Sequence, residues 1–245
     1  NVGELKNRGL EFVINSTNIT GPFTWSSSFN IAFNRNKITD LDGQVLKVQS
    51  YANRYVNRAL EGHPIGVFYT NEYAGVNPAN GDALFYLNRQ PTQQEIDNGT
   101  AFKVDGMFGD RYVTRDVNNA SRKVVGNPNP DFTGGFSNTF SYKGITMNMM
   151  WQFVYGNQIY NANYFSRASG KYFDNQLVSQ LDAWQEPGDI TDVPQARLYG
   201  DNGVAAKSSK KLSDGSYLRL KTVKLKYQIP QQILSDFNLR KMELF

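Results

Sequence analysis

Residues 132 to 155 carry the most regular pattern of the chain. From Ile145 the odd positions are Ile145, Met147, Met149, Trp151, Phe153 and Tyr155, all apolar or aromatic. Between them lie Thr146, Asn148, Met150, Gln152 and Val154, mostly small or polar. A period of two puts the two sets on opposite faces of a strand, one dry and one wetter. The preceding segment repeats the signal, with Phe132, Phe136, Phe140 and Tyr142 on one face and Thr133, Ser137, Thr139 and Ser141 on the other. Only Lys143 and Gly144 separate the two runs, which predicts a tight hairpin. A run of about eleven residues exceeds the usual soluble strand of about five or six and matches a tilted strand crossing a bilayer.

A third strand follows from Phe23, Trp25, Phe29, Ile31 and Phe33, which alternate with Thr24, Ser26, Ser28, Asn30, Ala32 and Asn34; Ser27 alone breaks the apolar row. Its aromatics, and those of residues 151–155, gather near strand ends, where amphipathic rings are most stable at a membrane interface. Further strands are expected over residues 4–18, with Leu10, Phe12 and Ile14 on one face, and over 217–228, with Val223, Leu225 and Tyr227 on one face. The connections alternate in length: short at 19–22, long at 35–131, short at 143–144 and long at 156–214. Outer-membrane barrels alternate short periplasmic turns with long extracellular loops in this way. The fold class expected is therefore all-β, an antiparallel transmembrane β-barrel segment with long extracellular loops. All of residues 1–245 read as a fragment of the wall of a larger barrel. The wall strands should be antiparallel neighbours in chain order, with turns 19–22 and 143–144 at one end, and the 35–131 region should add no crossing or an even number.

Inside the long regions, Ile65–Tyr73 and Ala83–Leu87 are expected to pair across the Asn77–Asp82 turn. An amphipathic helix is expected from Asn175 to Gln185, with Leu177, Val178, Leu181 and Trp184 on one face and Asp174 as N-cap. A soluble β-sheet carbohydrate-binding module is the alternative architecture, but its strands would be shorter and their outer faces more charged.

Composition narrows the function. Aromatics make up 13% of the chain and charged residues 20%, and mean hydropathy is −0.53. Low overall hydropathy is compatible with a barrel, whose lumen and loops are wet. No run is long and apolar enough for a membrane-spanning helix. A net charge of +4 is spread along the sequence and gives no reason to expect nucleic acid as a partner. Cysteine is absent and His63 is the only histidine, so neither a thiolate or histidine metal site nor a Ser-His-Asp triad can be assembled.

Several sequence pieces occur together in one order: Asn1-Val2-Gly3-Glu4 with Asn7-Arg8-Gly9-Leu10-Glu11; Trp25 to Asn30 with Asn34 to Ile38; and Glu61-Gly62-His63-Pro64-Ile65-Gly66. They are followed by Gly126-Asn127-Pro128-Asn129-Pro130-Asp131-Phe132 with Gly134-Gly135-Phe136, Trp184 with Pro187-Gly188-Asp189, and Gly215 to Lys221. In this order they resemble the carboxy-terminal half of SusC/RagA-type TonB-dependent outer-membrane receptors. The resemblance implies a 22-stranded barrel with an N-terminal plug in the outer membrane of a Gram-negative bacterium. It also implies a SusD-like surface lipoprotein as partner, energy received through TonB, and import of oligosaccharides or peptides. Plug and terminal strands are expected outside these residues. Some relatives carry an Asp-rich, calcium-like loop before the Gly-Asn-Pro motif; only Asp105, Asp110 and Asp116 stand there, so no metal and no cofactor is expected.

Candidate chemistry is sparse. Glu186, Asp189 and Asp192 read as turn-capping acids of a solvated loop rather than a glycosidase pair. Lys207, Lys210 and Lys211 read as a solvated charge run, a phosphate or lipopolysaccharide contact being the other reading. No catalytic residue is expected. The aromatics and amides of the 156–214 loop are the candidates for contact with substrate or lid, foremost Tyr160, Asn161, Tyr164, Tyr172 and Trp184. Such rings can lie against a sugar or peptide while amides bind its polar groups.

Overall fold

The computed structural model describes residues 3–47, 56–162, 170–235 and 239–245. The first strands are β1 (Glu4–Ile19) and β2 (Phe23–Asp40). The region after them holds β3 (Leu46–Lys47), β4 (Asn57–Ala59), β5 (Val67–Asn71), β6 (Tyr73–Val76), β7 (Ala83–Tyr86), β8 (Val113–Thr114) and β9 (Arg122–Gly126). Then come β10 (Phe132–Tyr142), β11 (Ile145–Tyr155), β12 (Gln158–Tyr160), β13 (Leu212–Asp214), β14 (Tyr217–Gln228) and β15 (Glu243–Leu244).

The chain divides into two compact units. One is built mainly from Leu5–Lys37, Asn129–Asn157 and Asp214–Phe245, the other from Ile38–Pro128 and Gln158–Ser213.

The first unit is the wall. Its sheet runs β1-β2-β10-β11-β14-β15, so the wall strands are neighbours in chain order and the long 35–131 region adds no crossing to it. Tyr142 faces Phe23 across the β2–β10 pair, which puts the 143–144 turn beside the turn that joins β1 to β2. Lys143 and Gly144 both have positive φ, 45° and 83°, the geometry of a two-residue turn that matches strand twist and for which glycine is suited.

The register makes one apolar face out of separate strands. Phe29, Phe136, Trp151 and Leu220 line up across β2, β10, β11 and β14, as do Ile31, Gly134, Phe153 and Leu218. Phe153 lies over Gly134, where any Cβ would clash with its ring. Aromatic ladders run near both strand ends: Trp25 on Phe140 at 5.9 Å towards the tight turns, Phe132 on Tyr155 at 5.0 Å at the other. The opposite face is hydrogen-bonded in rows, Thr139 Oγ1 donating to Asn148 Oδ1 at 2.8 Å and Ser141 meeting Thr146 at 3.1 Å.

Two details refine the expected strands. In the β11–β14 pairing the register shifts between Met150 and Trp151 of β11, and Lys221 is the extra residue of β14. This bulge returns Val223, Leu225 and Tyr227 to the face already occupied by Leu218 and Leu220. Ser27, the break in the apolar row, belongs to a polar cluster. Its hydroxyl and the Trp25 indole both donate to Asn138 Oδ1, at 2.8 and 2.9 Å, and Asn18 donates to Ser27. Polar atoms on an apolar face are tolerable when they satisfy one another.

The second unit holds the long connections. A four-stranded sheet runs β3-β4-β5-β9, a three-stranded one β6-β7-β8, and β12 pairs with β13. Its small cores are Ile38, Leu41 and Ala59 with Leu46, and Ala83, Phe85 and Ala120 with Tyr73, Val117 and Ala206. The Asn77–Asp82 turn does join a hairpin, but its first arm is Tyr73–Val76. Residues Val67–Asn71 leave it to pair with β4 and β9.

The helix expected over 175–185 does not form. Only a 3-10 turn, Val178–Asp182, is present. The reason lies in the burial: Val178 and Leu181 are each 81% exposed, so the apolar stripe has nothing to pack against, and packing is what stabilises a short helix. Trp184 follows the turn in extended chain, its amide bonded to Val193 O at 3.0 Å.

Candidate functional site

The loop aromatics do not form one surface. Tyr160 ends β12, with its ring 6.1 Å from that of Phe68. Its hydroxyl lies beside the Ser208 backbone, and burial pushes the phenol up to about 12. Asn161 is exposed, its amide bonded to Lys211 O at 2.8 Å. Tyr172 is half-buried beneath the Lys171 ammonium. Tyr164 lies outside the described residues. Trp184 is 5% exposed; its indole donates to Pro78 O at 3.1 Å and its ring lies against Gly81. The ring therefore faces inward, and what it presents to a ligand is the loop it holds.

Trp184 is one fastening of a larger seam. The two long connections, which look independent in sequence, interlock: Gly188 N donates to Pro78 O, Gln195 N to Gly81 O and Ala83 N to Asn202 O, at 2.8–2.9 Å. Arg197 crosses the same seam, pairing with Asp82 at 2.5 Å and donating to Asn80 O at 2.6 Å. The Asp82 carboxylate is 5% exposed and Arg115 is a second cation 3.5 Å away. A buried carboxylate needs such partners, because an unpaired one is strongly disfavoured.

Beside this pair opens a cavity of about 450 Å³, lined by Asp82, Arg115, Asp116, Asn118, Lys171 and Asp201 among others. Charges of both signs and amide groups converge there, an arrangement that can hold a polar ligand by hydrogen bonds. These residues carry no individual signal in sequence. They come from distant positions, and only the interlocking of the loops brings them together.

Other candidates fall into place. Asp189 Oδ2 accepts from the Gln185 and Glu186 amides at 2.8 and 3.1 Å, the turn-capping role expected of it. Of the lysine run expected to be solvated, Lys207 is exposed, but Lys210 and Lys211 are not. Lys211 is 3% exposed and donates to Ala205 O at 3.0 Å; burial, then the Lys207 charge, bring its ammonium down to about 8. Lys210 is held by Asp192 and stands over the Tyr73 ring. Tight loop packing, which sequence spacing does not register, is what buries them.

No family model matches the chain. Curated proteins do. The chain is 35% identical to TonB-dependent receptor P3 of Formosa agariphila over its whole length, which is 24% of that protein. It is also 27% identical over 75% of its length to TonB-dependent receptor SusC of Bacteroides thetaiotaomicron. Among solved structures, the RagAB peptide transporter superposes on 96% of the chain with a TM-score of 0.74 and 26% identity. The chain belongs to the SusC/RagA-type TonB-dependent receptors. It spans about a quarter of the length of the relatives it matches. These SusC/RagA-type relatives are receptors and transporters, not enzymes, and the wall described above is the all-β barrel wall of that family.

Proposed function

We propose that this chain supplies wall strands and two extracellular loops of an outer-membrane transporter that imports oligosaccharides or peptides in a Gram-negative bacterium. Energy would reach it from TonB through a plug elsewhere in the receptor, and a SusD-like lipoprotein would close over its loops. The observation that carries this reading is the continuous apolar face of β2, β10, β11 and β14. No apolar side chain of these strands within the wall unit is buried, among the described residues. A soluble sheet would cover such a face with a second layer, whereas lipid covers it in a barrel.

The loop seam supports the recognition half of the reading. Polar groups and rings of the 156–214 loop, with Tyr160, Asn161, Tyr164 and Tyr172 foremost, are assigned to substrate or lid contact, and the inward-facing Trp184 holds the loop that presents them. The test is uptake by cells carrying the full-length receptor, with and without TonB. Loss of oligomer uptake without TonB is expected. Replacing Tyr160 and Tyr172 together with Ala should lower uptake while the barrel keeps its heat-modifiable mobility. Normal uptake by that variant, with normal lid association, would remove this loop from the mechanism.

A further inference from the structure

The four-stranded sheet of the loop unit carries a set of cations that no carboxylate among the described residues pairs with. Lys47 on β3 lies directly opposite Arg58 on β4. Arg58 faces Val67 on β5, and Asn71, four residues on, faces Arg122 on β9. Residues two apart in a strand share a face, so Lys47, Arg58, Tyr69, Asn71 and Arg122 project from the same side. Lys207 runs beside the same strand, its carbonyl accepting from Thr70 Oγ1 at 2.9 Å and from Asn71 Nδ2 at 3.3 Å, and its exposed ammonium is near enough to Arg122, Arg58 and Lys47 to be repelled by all three.

These charges act on one another. Burial and then Arg122 hold the Arg58 guanidinium below its usual value, with Tyr69 opposing. Burial, then Arg122, Arg58 and Lys47, hold Lys207 down in the same way. Among the described residues, none of the four cations is paired with a carboxylate.

The other face of the same sheet is a control. Lys123, adjacent to Arg122 and so on the opposite face, pairs with Glu72 at 2.8 Å, and Glu72 also takes Arg111 at 2.7 Å. The fold therefore supplies a counter-ion on one side and leaves the other cationic, although like charges placed opposite each other across strands are destabilising. Such a cluster persists at a cost that an anionic ligand would remove.

We propose that the Lys47–Arg58–Arg122–Lys207 face binds an acidic oligosaccharide. Its carboxylate or sulfate groups would sit in the two guanidinium forks, and a sugar ring would lie against the half-buried Tyr69. Arginine forks match planar or tetrahedral oxyanions in two-point contact, and the aromatic face is what distinguishes a sugar chain from a bare anion. The proposal deepens the importer reading and rests on it for calling the ligand a substrate.

The test is calorimetric titration of the full-length receptor in detergent with tetragalacturonate and with a sulfated tetrasaccharide, maltotetraose serving as the neutral control. At least one acidic sugar should bind, more weakly at 200 mM than at 50 mM salt, and maltotetraose should not compete. R58Q/R122Q should weaken binding at least tenfold, while K103Q, a remote lysine, changes nothing. R58K/R122K, which keeps the charge, should retain part of the affinity, showing that the loss is not misfolding. Binding of neither acidic sugar, or full affinity in R58Q/R122Q, overturns the proposal. Equal binding of tetraglutamate, or binding of lipopolysaccharide alone, overturns its assignment to a sugar. TonB-dependent uptake is scored separately on the same receptor, so a failed titration with intact uptake sinks this inference and leaves the importer reading standing.

Discussion

The indole of Trp184 is spent on Pro78 O and its ring on Gly81, so at the residue scale its worth is structural. Trp184→Ala should destabilise the loop unit by about 3–5 kcal/mol, the usual loss for a buried Trp or Phe. Hydrogen exchange should show this as faster opening of residues 77–82 and 193–202, with β10 and β11 unchanged; equal opening of the wall would contradict it. Lys211 offers a pH test with a definite sign. Its ammonium is brought from 10.5 down to about 8 in the fold, so the unfolded chain holds that proton more tightly. Stability from this group rises as pH climbs from about 8 towards 10.5, and below about 8, where the lysine is charged in the fold as well, the whole cost of burying that charge is present. Lys211→Met should therefore raise the melting temperature of the detergent-solubilised receptor more at pH 7 than at pH 10. A larger gain at pH 10 would reverse the argument.

At the element scale, the legible parts of the chain were those whose pattern is set locally. β10 and β11 keep an unbroken period of two around a positive-φ turn, so their extent, partner and exposed face can all be read from residues. β14 is instructive because its parity changes, from even apolar positions at Leu218 and Leu220 to odd ones at Val223, Leu225 and Tyr227. That change is the signature of a bulge, visible in sequence once the strand is known to be continuous. Deleting Lys221 should join Leu220 directly to Thr222, opposite Trp151 and Met150, in an unbroken alternation that keeps Val223, Leu225 and Tyr227 on the apolar face, so the barrel should still assemble with heat-modifiable mobility. Failed assembly would mean that residues 222–228 do not keep the face that the bulge assigns them. The 175–185 helix shows the opposite limit. Its spacing is helical, but Val178 and Leu181 find no core, and a helix of that length needs one. The pairing of Val67–Asn71 with β9 instead of the 73–86 hairpin, and the Asp82–Arg197 seam, depend on distant partners that no local period records.

At the scale of the whole molecule, the two faces of the wall should differ in what they tolerate. Val223 sits in the body of β14, opposite Met149 on the apolar face, and Thr222 opposite Met150 on the other. A charge held against hydrocarbon must give up its hydration, at a cost of about 2–4 kcal/mol for Arg near the bilayer midplane. A charge facing the wet interior keeps its water. Val223→Arg should thus lower the urea or heat stability of the membrane-inserted receptor by an amount of that order, and Thr222→Arg by much less. The comparison is internal, since the two positions are adjacent, share a strand and differ only in direction. It also discriminates between architectures. In a soluble sandwich, a second sheet covering Val223 would make that substitution costly in detergent-free buffer too. In a barrel the penalty belongs to the lipid, so it should shrink when a thinner bilayer moves the site towards the interface. An equal penalty at Val223 and Thr222, or one indifferent to bilayer thickness, would mean that the apolar face is not the lipid-facing surface.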